Sequence, residues 1–311
     1  MIAFSHSPVL LEECMEGLAL KPGGVYFDGT AGGGGHSYEI LRRTAPDGRL
    51  IATDLDDDAI AAAGEKLSPF AGRFRIRKGN FKNFREVLDE EGVGLLDGVL
   101  LDFGVSSFQL DEPSRGFSYM ADAPLDMRMD ASQEFSAYDV VNGYDEGKLA
   151  CVIRTYGEER FARQIAAGIV RERRKAPVET TGKLSAIIEA NIPWKFRQNG
   201  PCQRKTFQAI RIEVNGELDG LGEAVKGLAM TLKKGGRICV LTFHSLEDRI
   251  VKNVFRDLET DCVCDKSLPV CVCGKRKEIE ILTRKPLTAA GEEKEKNPRS
   301  KSAKLRIAER V

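Results

Sequence analysis

"GVYFDGTAGGGGHS", residues 24–37, decides the fold. An apolar segment, "VYFDGT", ends in an aspartate; a run of four glycines then leads into the helix-like "GHSYEILRRT". A strand that passes through a glycine loop into a helix is the opening unit of a nucleotide- or nucleoside-binding α/β sheet. Glycine serves there because a residue without Cβ lets the backbone approach a ligand closely. A P-loop would carry a lysine after its last glycine, and His36 and Ser37 stand in that place instead. The dinucleotide fingerprint G-x-G-x-x-G, started at Gly32 and Gly34, needs a third glycine at position 37, which is serine. Both phosphate readings therefore fail on this loop.

Outward from the loop the pattern alternates. "GRLIATD" reads as a second strand ending at Asp54, and "DDAIAAAGEKL" as a helix opening with acids, which suit the positive end of a helix dipole. "FRIRKGN" reads as a third strand, "FKNFREVLDEEG" as a helix and "LDGVLLDFG" as a fourth strand that is almost wholly apolar through its middle. Such runs belong to strands buried on both faces of a parallel sheet between helical layers. Between about Gln109 and Pro201 no comparable strand occurs. "DEGKLACVIRTYGEERFARQIAAGIVRERRK" and "TGKLSAIIEANI" read as helices, the latter with Thr181 as a candidate N-cap. Strands return with "KKGGRICVLTFHS", and "EIEILTRKPL" and "AKLRIAERV" follow as an antiparallel pair closing one edge, joined by a charged loop without a helix. The expected organisation is a first sheet segment over residues 1–108, a mostly helical insertion over 109–204 and a second sheet segment over 205–311.

The 47 Lys and Arg balance 47 Asp and Glu, which argues against a protein that simply coats a polyanion. The charges are unevenly spread, however. Lys and Arg outnumber Asp and Glu between residues 151 and 215, and residues 294–306 are almost entirely basic in their charges. That suits either a nucleic-acid face or a solvated helix surface. No apolar run reaches the roughly 20 residues that cross a bilayer, and the N-terminus lacks the basic start of a signal peptide. A cytoplasmic enzyme with no membrane partner is expected.

A third ligand remains for the glycine loop. S-adenosylmethionine carries adenosine but no phosphate, so it asks for close backbone approach and an acid to hold the ribose. Asp54 closes the second strand, where such an acid belongs. Phe81, just after the third strand, is placed either to face an adenine or to fill the core. A seven-stranded sheet with an antiparallel last pair is typical of class I methyltransferases. The rival readings are a dinucleotide-dependent oxidoreductase and a non-catalytic RNA-binding ribosome-assembly factor.

Eight stretches, "HSPVLLEECMEGL", "DGTAGGGGHS", "LDFGVSS", "GFSYMADAPLDMRMD", "YGEERFARQIAAGIV", "TFQAIRIEVNGEL", "FHSLEDRIVK" and "NPRSKSAKLRIAER", together resemble the ribosomal RNA small subunit methyltransferase H family over nearly the whole chain. The resemblance implies a Rossmann-like class I sheet with an inserted helical domain for substrate recognition. It implies S-adenosylmethionine-dependent methylation at N4 of a cytidine in the decoding region of 16S rRNA, within the small ribosomal subunit, with no DNA substrate. It also carries over cofactor residues: Gly34, Gly35 and His36 in the loop, Asp54, Phe81, Asp102 and Gln109.

Asp102 ends the fourth strand as "DFGV", without the Pro-Pro-aromatic run that many amino-group methyltransferases place there. It is expected to contact the cofactor and orient the amine, in a reaction that needs no metal. His6, His36 and His244 are the three histidines. His244 either lines a substrate pocket or marks a strand exit at which Ser245 caps the next helix. In the insertion Arg160, Arg163, Arg171, Arg173, Arg174 and Lys175 cluster, and Trp194, Lys195, Phe196 and Arg197 interleave rings with charges, as contacts to phosphates and bases require. Finally, "CVCDKSLPVCVC" places Cys262, Cys264, Cys271 and Cys273 in a C-x-C-x6-C-x-C array, a candidate structural zinc site or a reduced surface loop.

Overall fold

The computed structural model describes residues 8–198, 200–265 and 270–311; His6 lies outside them. The chain divides into two compact units, residues 1–104 with 220–311, and residues 105–219.

The first unit is built on one seven-stranded sheet. Its strands are β1 (Val25–Asp28), β2 (Arg49–Asp54), β3 (Phe74–Lys78), β4 (Leu96–Asp102), β5 (Leu232–Thr242), β6 (Ile279–Ile281) and β7 (Lys304–Arg310). The order across the sheet is β3-β2-β1-β4-β5-β7-β6. The first five run parallel, and β7 lies antiparallel between β5 and β6. Apolar content sets position: Val99, Leu100 and Leu101 of central β4 are fully buried, whereas "FRIRK" of edge strand β3 has no fully buried residue. Strand order reverses at β1, so the crevice at the carboxyl ends of β1, β2 and β4 is where such a sheet takes a ligand.

The helices of this unit are α1 (Leu11–Leu18), α2 (Gly35–Arg43), α3 (Asp57–Leu67) and α4 (Phe84–Glu90); α5 (Ser107–Asp111) through α11 belong to the second unit. There α6 (Ala137–Gly143), α7 (Glu146–Gly157), α8 (Ala162–Arg173), α9 (Thr181–Ala190), α10 (Trp194–Arg197) and α11 (Arg204–Asn215) follow. α12 (Leu221–Met230), α13 (Ser245–Glu259) and α14 (Gly291–Lys296) complete the first unit. Among the described residues no helix is long and apolar enough to cross a membrane.

Two local expectations need correction. The connection between β6 and β7 is not a plain loop: it contains α14 and a 3-10 turn at Pro298–Ser302, and Glu293 Oε1 accepts the Leu10 N–H at 2.8 Å. Thr180, not Thr181, caps α9, because its Oγ1 faces the Lys183 N–H at 3.2 Å. Thr181 is buried instead, donating to the Ala121 carbonyl at 2.7 Å and accepting from the Ala123 N–H at 3.0 Å.

The helical unit also extends past residue 204, the limit expected from sequence. α11 is tied into it: Gln208 donates to the Tyr156 carbonyl at 3.0 Å, and the Tyr144 hydroxyl donates to Glu213 at 2.7 Å. Asn215 at the end of α11 pins the preceding "DMRMD" loop, accepting from Met129 N–H and donating to the Met127 carbonyl. The strand-free run was legible, but α11 has the same apolar period as a helix that flanks a sheet, so its allegiance was not. The core of this unit is its own, formed by Met127, Val140, Ile153, Ile165, Ile188 and Ile210 among others.

Candidate active site

Three adjacent strands end in aspartate: β1 at Asp28, β2 at Asp54 and β4 at Asp102. The glycine loop is laid across them. Its Ala31 N–H reaches the Thr53 carbonyl at 2.9 Å, and its Gly32 N–H reaches Asp54 Oδ2 at 2.7 Å. Gly34 caps α2 with φ of 74°, a left-handed conformation that suits glycine. A Cβ on Gly35 would lie 2.4 Å from Pro8 Cγ, so the chain passes there only without a side chain. Both predicted loop glycines thus have backbone reasons for their identity.

Asp54 also accepts the Asp56 N–H at 3.0 Å through Oδ1. Burial pushes its carboxyl upward, against the pull of these backbone bonds. Asp28 is fully buried; it accepts the Ser37 hydroxyl at 2.6 Å and the Thr30 N–H at 3.1 Å, and burial lifts it to about 6. Sequence reasoning missed Asp28 and treated Ser37 as a failed glycine. The hydroxyl has a positive role: it satisfies a buried carboxylate.

Asp102 is held through its backbone, its N–H donating to Thr30 Oγ1 at 2.6 Å. Its Oδ1 is sealed from solvent and has no hydrogen-bond partner among the described residues. His36 Nε2 lies 3.1 Å from the Val9 carbonyl, which assigns the ring proton to Nε2. The bare Nδ1 of the neutral ring then faces Asp102 Oδ2 at 3.7 Å. Burial drives His36 down to about 4, so the ring stays neutral near pH 7. Asp102 is pushed up to about 8 by burial, and further by the negative charges of Asp28 and Glu247. A neutral imidazole offering a lone pair gives an ionised Asp102 no relief.

Phe81 opens a 3-10 turn after β3 and stacks on buried Phe103, with ring centroids 5.5 Å apart and planes at 27°. It is half-buried, neither sunk in the core nor fully in solvent. These parts fit a nucleoside-bearing cofactor: an acid at the end of β2, a glycine loop, an aromatic ring beside it and an orphaned buried oxygen at Asp102. The profile of the MraW methylase family matches residues 3–311. The chain belongs to that family.

Its relatives agree over full length. A protein named ribosomal RNA small subunit methyltransferase H from Clostridioides difficile (strain 630) is 53% identical over 99% of this chain and 99% of its own. One of the same name from Symbiobacterium thermophilum is 55% identical over 98% of this chain and 96% of its own. Among solved structures, a putative rRNA-methylase from Clostridium thermocellum aligns with a TM-score of 0.45 at 12% identity, over 98% of this chain and 100% of that one.

In this member of the MraW methylase family the exit from β5 departs from expectation. His244, not Ser245, is the N-cap of α13. Glu247 reaches back, accepting the Phe243 N–H at 2.9 Å and the His244 N–H at 3.2 Å. His244 Nδ1 accepts the Glu247 N–H at 3.4 Å, and Nε2 lies 3.0 Å from Glu247 Oε1. A histidine cap escaped sequence reasoning because serine is the commoner cap and stood next to it.

Gln109 lies in the helical unit, and α5 rather than an open loop holds it. Its Oε1 accepts the Ser106 N–H at 2.9 Å while its own N–H donates to Ser106 Oγ at 3.2 Å, a reciprocal cap. In the same unit Arg160 lies over Phe196 at 4.3 Å and Phe161 at 4.9 Å, and Trp194 is 69% exposed. Arg173 is a structural residue, donating to the Val141 carbonyl at 2.7 Å. Arg171 and Lys175 pair with Glu172, while Arg163 and Arg174 are exposed. The four clustered cysteines come together in the connection between α13 and β6.

Proposed function

We propose that this chain transfers a methyl group from S-adenosylmethionine to N4 of a cytidine in the decoding region of 16S rRNA, in the small ribosomal subunit. Family membership supports the class of reaction. The observation that carries the chemistry is Asp102: a strand-end carboxyl with a sealed, unpartnered oxygen and a pKa pushed up to about 8.

When bound, S-adenosylmethionine would supply an electrophilic methyl on a sulfonium centre, the methyl–sulfur bond breaking as the bond to nitrogen forms and leaving a neutral thioether. Asp54 would hold the ribose hydroxyls, the backbone at Gly34 and Gly35 would lie against the cofactor, and Phe81 would flank the adenine. The N4 amine of cytosine is a weak nucleophile because its lone pair is delocalised into the ring. Asp102 Oδ1 accepts one amine hydrogen, which orients the nitrogen for in-line attack and takes up the proton released when the N–C bond forms. A base with a pKa near the ambient value suits that task. A cation seated beside Asp102 favours its ionised form. His36 is a positioning residue: held by Val9 with its lone pair toward Asp102, it offers no competing proton. Arg163, Arg174 and Trp194 meet phosphates and a base of the RNA.

The test is label transfer from S-adenosylmethionine to undermethylated small subunits, free 16S rRNA and DNA in parallel. Transfer to small subunits and not to DNA is expected. Absence of label in any RNA would sink the proposal and favour an assembly factor that only retains the fold.

A further inference from the structure

Cys262, Cys264, Cys271 and Cys273 lie outside the candidate active site, and all four are free thiols. Their Sγ atoms fall within 4.8 Å of one another. Individual separations are 3.5 Å for Cys262–Cys271 and Cys271–Cys273, 3.8 Å for Cys264–Cys271 and 3.9 Å for Cys262–Cys273. The edge of a tetrahedron with zinc–sulfur bonds of about 2.3 Å is about 3.8 Å. These separations are much longer than a disulfide bond of about 2.05 Å.

Burial does not explain the cluster. Val263, Val270 and Val272, the apolar side chains beside the cysteines, point outward at 63%, 70% and 77% exposure. A loop folded by the hydrophobic effect would bury these valines, and the cysteines are themselves exposed or only partly buried, so apolar burial does not gather their sulfurs. The backbone also serves the sulfurs: Val263 N–H points to Cys273 Sγ at 3.5 Å, Cys264 N–H to Cys262 Sγ at 3.4 Å, and Val272 N–H to Cys264 Sγ at 3.3 Å. Donors aimed at sulfur stabilise thiolates, as the hydrogen-bonding shell of a metal site does.

We propose that these four cysteines bind one zinc ion as a closed structural site. Binding converts four thiols to thiolates and releases up to four protons, with no change of oxidation state. Past Gly274 the chain is basic at Lys275, Arg276 and Lys277; Lys275 pairs with Asp257 and Lys277 with Glu280, which leaves Arg276 as the nearby cation that no such pair engages among the described residues. Four protein ligands leave no open coordination position for a substrate, which separates a structural site from a catalytic one. Topology agrees. α13 returns from the carboxyl end of β5, and β6 runs parallel to β5 because both pair antiparallel with β7. The connection from α13 to β6 therefore lies at the amino edge of the sheet, opposite the aspartates. The zinc acts as a staple for a connection whose described valines, Val263, Val270 and Val272, are exposed, and it is independent of the methyl-transfer reading.

The test uses the full chain purified under reducing conditions without chelator, with zinc measured by mass spectrometry. About one zinc per chain is expected. The double variant Cys262→Ser/Cys271→Ser should retain less than about a tenth of that and bind S-adenosylmethionine within about twofold of the parent. Cobalt exchange should give the thiolate charge-transfer and tetrahedral d–d absorption of a four-sulfur site, and chelation should speed proteolytic cutting between residues 262 and 277. A chain that stays metal-free in stoichiometric zinc while its thiols titrate overturns the proposal, as does an isolated chain carrying two disulfides at this loop. Loss of cofactor affinity together with the zinc would overturn its assignment as a remote staple.

Discussion

Asp102→Asn should raise the stability of the protein while it lowers methyl transfer. The native environment lifts this carboxyl from 3.8 to about 8 through burial and the nearby charges of Asp28 and Glu247. A raised acid pKa means that the native state prefers the protonated form, whereas the unfolded chain ionises freely. From about pH 4 upward the unfolded state loses its proton first, so this group subtracts stability until the pH reaches about 8, after which its effect is level. At about 1.4 kcal/mol per unit, the ceiling at pH 7 is roughly 4 kcal/mol. The side chain is 26% exposed, and solvent relaxation reduces the effect to about 1–2 kcal/mol. For a chain of 311 residues, with an unfolding entropy of about 2.1 cal/mol/K per residue, that is about 1.5–3 °C in Tm. Asparagine does not titrate, and its amide can donate toward the His36 Nδ1 that lies 3.7 Å from Oδ2. Thermal melts of both proteins from about pH 5 to about pH 8 should show a gap that widens with pH. Transfer should fall by about a hundredfold or more, because a carbonyl oxygen cannot take the proton. An Asn variant that melts at or below the parent at every pH would refute the reasoning, as would one with parental turnover.

Other perturbations act on the loop and the helical unit. Ser37→Ala leaves buried Asp28 without its hydroxyl donor and should cost about 1–3 kcal/mol in a denaturant melt; Ser37→Gly should cost no less, since the donor and not the size is what matters. Gly34→Ala forces φ of 74° on a residue with Cβ and brings that atom to 3.1 Å from Ala63 Cα, so S-adenosylmethionine affinity measured by calorimetry should fall at least tenfold, about 1.4 kcal/mol. Charge reversal at exposed Arg163 and Arg174 with Trp194→Ala should weaken rRNA binding and make it less salt-dependent, with cofactor affinity unchanged. Arg173→Glu should instead lower the melting temperature, because its guanidinium holds the Val141 carbonyl.

The sheet was legible because its signal is long and redundant. β4 reads as buried from "GVLL" alone, and an acid after β2 falls where the strand-end rule puts it. The antiparallel last pair was likewise readable from two apolar segments near the end. Partnerships across the chain were not. Nothing local in "GGHS" says that Ser37 reaches back to Asp28, or that Pro8 excludes a side chain at Gly35. His244 and Gln109 show the reverse difficulty: both were weighed for ligands, and both have cap partners three residues away. The cysteine spacing was visible, but only the folded distances show that the four sulfurs lie within 4.8 Å of one another.

The most direct test of the account is the identity of the methylated nucleoside. Small subunits incubated with the protein and labelled S-adenosylmethionine would be digested to nucleosides and resolved by mass spectrometry against standards. Label is expected in N4-methylcytidine and is lost with Asp102→Ala. Label in a ring-carbon-methylated cytidine, in another base, or in no nucleoside would contradict the account.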